Sequence, residues 1–73
     1  MISKAHCIYL NTITQEKLIG QLDDERLLAD PPTLLRFALL GVPVFVSKFV
    51  PDGHAFVQGI GADGNPTLED MEA

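Results

Sequence analysis

Three side chains in this sequence are of the types that metal or nucleophilic chemistry uses: His6, Cys7 and His54. A metal site needs three or four converging ligands. His6 and Cys7 are adjacent, so on a strand they point to opposite faces and do not share an ion. A Cys7–His54 nucleophile–base pair requires the two to meet in space. Cys7, beside Ile8, Tyr9 and Leu10, reads instead as a small buried hydrophobe. His54, following Pro51-Asp52-Gly53, reads as an exposed turn residue. Residues 59–64 spell G-x-G-x-x-G, which in a dinucleotide-binding unit follows a strand and opens a helix. Asn65-Pro66 stands where that helix would begin, so turn glycines are the better account. The acids of DDERLLAD (23–30) and LEDME (68–72) read as solvated helix faces, because catalytic acids need a partly buried cleft. Arg36, alone in an apolar run, marks either that helix's exposed edge with a snorkelling stem or a partner for Asp23, Asp24 or Asp30. No catalytic, cofactor or metal site is expected, and the chain is read as not an enzyme.

Composition bounds the remaining possibilities. The 73 residues allow one domain, and a chain this short buries only roughly 60% of its unfolded surface. One cysteine permits no internal disulfide, so the 47% apolar content, or association, must supply stability. Ten acids oppose five basic residues, and Lys4, Lys17, Arg26, Arg36 and Lys48 are scattered singly. Phosphate binding needs clustered cations, so neither nucleic acid nor an anionic membrane surface is expected as a partner. A basic protein partner is electrostatically welcome. MISKAHCIYL lacks an apolar core of signal-peptide length. Residues 34–50, interrupted by Arg36, Pro43 and Lys48, are too short to span a bilayer. The lone thiol suits a reducing compartment, and a cytoplasmic protein is expected.

The elements follow from pattern. AHCIYL (5–10) reads as a mostly buried strand, with Cys7 and Tyr9 facing one way and His6, Ile8 and Leu10 the other. Thr12 with Gln15, or Thr14 with Glu16, caps a helix whose Leu18, Ile19 and Leu22 share a face. Residues 14–29 form one helix or two, broken at Asp23-Asp24. Pro31-Pro32 precedes a helix over Thr33–Leu40 that is apolar on nearly all sides and ends at Gly41.

VFVSKFV (44–50) and HAFVQGI (54–60) read as strands of an antiparallel hairpin over about 43–50 and 54–60. A type I turn with Pro51 second and Gly53 left-handed pairs Val50 with His54, Lys48 with Phe56, Val46 with Gln58 and Val44 with Ile60. Phe45, Ser47, Phe49, Ala55 and Val57 then share the core face. Val44, Val46, Phe56 and Ile60, with Lys48, Gln58 and His54, share a second face that the helices cannot also cover. Residues 63–73 read as a flexible acidic tail, or as one helical turn bearing Leu68 and Met71.

The expected fold is α+β in the order β-α-(α)-α-β-β, with residues 1–62 compact, 63–73 a tail, and the N-terminal strand joining the hairpin. The expected function is a non-enzymatic interaction module, an adaptor or inhibitor of a larger protein. Partner-binding residues are Val44, Val46, Lys48, Phe56, Gln58 and Ile60. The alternatives are a homo-oligomer such as a dimer, or a subunit of a larger assembly, using the same face, and a small enzyme using Cys7 and His54 at an interface. In length, acidity and lack of catalytic motifs the chain resembles short accessory proteins of phages and mobile elements, a resemblance of type with no residues to carry over.

Overall fold

The computed structural model describes residues 2–72. The order is β1 (Ile2–Leu10), α1 (Thr12–Gln21), α2 (Glu25–Ala29), α3 (Thr33–Leu39), β2 (Val44–Val46), β3 (His54–Gly61) and β4 (Pro66–Glu72). The strands make one mixed sheet in the order β2-β1-β3-β4, so the fold is α+β as expected. No helix of the described residues is long and apolar enough to cross a membrane.

The expected hairpin between residues 43–50 and 54–60 does not form. β2 pairs parallel with β1, with Ile8 opposite Val44 and Leu10 opposite Val46. β3 pairs antiparallel with the other side of β1, with Ile8 opposite Val57 and Tyr9 opposite Phe56. The reason lies in β1. Its backbone has hydrogen-bonding groups on both sides, and from Cys7 to Leu10, where β2 and β3 flank it, its side chains are apolar on both faces, which suits a central position. A hairpin of residues 44–60 would have left β1 at an edge. Ser47–His54 is instead two consecutive turns, closed by Val50 N–H to the Ser47 carbonyl (3.3 Å) and His54 N–H to the Pro51 carbonyl (3.2 Å). Pro51 is thus first in its turn rather than second, while Gly53 is left-handed as expected, at φ 77°.

The tail is corrected as well. Residues 66–72 form β4, an edge strand antiparallel to β3 with Phe56 opposite Asp70 and Gln58 opposite Leu68. The hairpin of this fold is therefore β3–β4. Its turn is held by Gly61 N–H to the Asn65 carbonyl (2.9 Å) and by Asp63, whose carboxylate accepts from the Asn65 backbone N–H and side-chain amide, both at 3.1 Å.

The helices lie on one face of the sheet. Ile8, Leu10, Leu18, Leu34, Leu35, Ala55 and Val57 are buried between the layers, with Val44, Phe37 and Met71 packed against them. Asn11, rather than Thr12 or Thr14, caps α1, its side chain accepting from Thr14 N–H at 2.8 Å. Thr14 is buried, and its hydroxyl oxygen accepts from Gly53 N–H at 3.0 Å, tying α1 to the β2–β3 connection. Of the apolar face expected on α1, Leu18 is buried while Ile19 and Leu22 stay exposed. Residues 12–29 are two helices, because Asp24 caps α2 through Arg26 N–H at 3.0 Å. α3 ends in a Schellman motif: Val42 N–H reaches the Phe37 carbonyl and Gly41 N–H that of Ala38, with Gly41 at φ 88°. Arg36 is exposed and donates to the Pro31 carbonyl at 3.2 Å, which settles its two readings in favour of the exposed edge.

Candidate functional site: the uncovered sheet face

Strand pleating sends alternate residues to opposite faces. Ile8, Ala55 and Val57 face the helices, so Cys7 and Tyr9 of β1, Phe45 of β2, Phe56, Gln58 and Ile60 of β3, and Leu68 and Asp70 of β4 face the other way. No helix of the described residues lies on that face; the 47–50 turn closes one end of it with Val50 buried, and Tyr9, Phe56 and Ile60 are half-buried. The face bears an open, mostly apolar groove of about 610 Å³ between the turn residues Phe49 and Val50 and the strand residues Tyr9, Phe56 and Leu68. Tyr9 and Phe45 stack, ring centroids 5.8 Å apart at 30°. Phe49 is 84% exposed with the Lys48 ammonium 5.4 Å from its ring centroid, and Leu68 is 62% exposed.

Polar groups are few here. The Cys7 thiol lies 3.5 Å from Gln58 Oε1. The side-chain hydrogen bond that the Tyr9 phenol makes with Cys7, and then the coulombic effect of that neighbour, hold the phenol above its ordinary pKa of 10.0, so Tyr9 stays a neutral hydrogen-bonding group. His54 Nδ1 sits 3.1 Å from Asp70 Oδ1 at the end of the face, in a solvent-exposed pair.

The six residues expected to share a partner face divide. Phe56, Gln58 and Ile60 lie together on the uncovered face. Val44 packs against the helix-side core, and Val46 shares that side by its register with Leu10. Lys48 lies in the following turn. Conversely Phe45 and Phe49, expected in the core, are exposed. β3 is sorted as expected because Ala55 and Val57 are its most apolar alternation. β2 is inverted because it answers to β1. The uncovered face also takes in Tyr9 and Leu68, for which the only sequence signals are the Cys7/Tyr9 alternation and a weak period of two through Thr67-Leu68-Glu69-Asp70-Met71.

Cys7 and His54 are not brought together. Cys7 is opposite Gln58, and His54 is farther along β3 by about 13 Å at roughly 3.3 Å per residue. Among the described residues no group of three or more His, Cys, Asp or Glu side chains could hold a metal ion. The G-x-G-x-x-G glycines have structural work. Gly59 and Gly61 are in β3, and only Gly64, at φ 82°, is in a turn. No protein-family model, curated protein or solved structure matches this chain.

Proposed function

We propose that this chain is a non-enzymatic protein–protein interaction module, an adaptor or inhibitor that docks a larger protein on its uncovered sheet face. The observation that carries the reading is the coverage of one sheet face only, with Tyr9, Phe45, Phe56 and Leu68 on the other. Contiguous apolar surface of this kind on a small domain marks an interaction site, and aromatic side chains are the usual anchors of such contacts. Phe56, Gln58 and Ile60 are retained as contact residues, joined by Tyr9 and Leu68. The net charge of −5 favours a partner with a basic rim. A cytoplasmic setting and a role of the phage or mobile-element accessory type fit a short acidic chain with one thiol.

The test is the Phe56→Asp variant, with Leu68→Asp as a second that removes a more exposed side chain. Both are expected to remain folded by circular dichroism and to lose a partner that the wild type retains. Undiminished retention by both folded variants removes this face from the reading.

A further inference from the structure

The uncovered face is polarised along its length. Directly opposed residues of neighbouring strands share a face, so Lys4, opposite Ile60, brings an exposed ammonium to one end. At the other end Asp70 is opposite Phe56 and Glu72 opposite His54, both acids exposed. Ile60 and Phe56 are four residues apart on β3, so the opposite charges stand about 13 Å apart at roughly 3.3 Å per residue. The apolar groove lies between them, with Gln58 exposed at its centre. Two further charges border the face and are already engaged. Lys48 holds its ammonium over the Phe49 ring, and the Asp63 carboxylate accepts from Asn65. Asp70 meets His54 through Oδ1.

We propose that the groove takes an extended segment of another protein in which an apolar side chain stands between an acid and a base, at positions i, i+2 and i+4. In an extended chain those three side chains share one side and span the same distance of about 13 Å. The acid meets Lys4, the apolar side chain enters the groove between Tyr9, Phe49, Phe56 and Leu68, and the base meets Asp70 and Glu72. The inference rests on the docking reading above and names the chemistry of its partner.

Charge pattern and shape select this occupant. A segment with two bases sets one of them against Lys4, and a segment with two acids sets one against Asp70 and Glu72; each is a like-charge contact. A free amino acid holds its charges too close together to reach both ends. The Gln58 amide can bond a peptide group, which an alkyl chain lacks. A second copy brings a further net charge of −5, and two concave faces do not fill each other.

Three acetylated and amidated pentapeptides test it: Glu-Ala-Trp-Ala-Arg, Arg-Ala-Trp-Ala-Arg and Glu-Ala-Trp-Ala-Glu, with binding followed through the protein's amide NMR signals. The mixed peptide is expected to shift Phe56, Gln58 and Leu68 and to bind about two- to fivefold tighter than either other, the range one exposed ion pair supplies. Lys4→Glu is expected to transfer that preference to the two-base peptide, and Asp70→Lys to the two-acid peptide. If Asp70→Lys fails to fold, Lys4→Glu decides. Equal binding of the three at these residues overturns the inference and leaves the docking face standing. No shift there from any peptide up to about 1 mM, the weak end of specific association, also overturns it, and the docking reading then rests on Phe56→Asp and Leu68→Asp alone. Sedimentation of the free protein at the same concentration is expected to give 8.0 kDa. A dimer that Phe56→Asp dissociates overturns the inference by making a second copy the occupant.

Discussion

At Gly59 the backbones of β1 and β3 approach so closely that a Cβ would stand 2.0 Å from the Lys4 carbonyl oxygen. The approach coincides with the register shift between Ala5 and Cys7, where His6 is the extra residue of a bulge. The obstacle is backbone and cannot swing aside, so Gly59→Ala is expected to cost at least about 3 kcal/mol, the upper end of overpacking costs; urea denaturation measures it, and a loss within experimental error contradicts the contact. Asp63 offers a pH test. Its carboxylate, accepting from the Asn65 backbone and then its side chain, is held below the ordinary value of 3.8. Its folded pKa is lower than its unfolded one, so the turn's gain is fully present above 3.8 and is lost as pH falls through the folded value. By NMR, Asp63 is expected to titrate with a midpoint below 3.8, with faster Asn65 amide exchange at lower pH; a midpoint at or above 3.8 contradicts it.

At the scale of elements, α1 depends on Asn11, which caps the helix and also donates from its side-chain amide to Asp52 in the β2–β3 connection. Asn11→Ala is expected to lower stability by about 1 kcal/mol, the usual worth of an N-cap, measured by chemical denaturation. The helices were legible because their signals are local. Pro31-Pro32 and Gly41 bracket α3, whereas the division of residues 14–29 into two helices, left open by the sequence, is decided by the Asp24 cap on Arg26 N–H. The strands were legible as strands but not as neighbours. Pro51-Asp52-Gly53 has hairpin chemistry, yet no local pattern reveals that β1 competes for both flanking strands. β4 was hidden because Leu, Glu and Met favour helices and its alternation is broken by acids on both faces. Of the six residues expected to share one face, Phe56, Gln58 and Ile60 therefore do so, through β3, while Val44 and Val46 turn to the helix side and Lys48 lies in a turn. β4 as a strand carries its own expectation: amides whose N–H groups point to β3 within residues 67–71 exchange slowly, whereas uniformly fast exchange there contradicts the pairing.

The whole molecule is a slab with extents of 34, 29 and 17 Å, one helix layer on one sheet. Two layers are enough to enclose Ile8, Leu10, Leu35 and Val57 completely, but no helix covers the second sheet face, which keeps an open, mostly apolar groove beside the 47–50 turn. That asymmetry is the basis of the proposed interaction role. The most direct measurement is quantitative affinity capture from the native host, comparing wild type with Phe56→Asp, Leu68→Asp and Val46→Lys. The expected result is a protein enriched by wild type and by Val46→Lys and lost with both aspartate variants, each folded by circular dichroism. Equal enrichment by all four, or no enrichment by the wild type, would contradict the assignment of the uncovered face.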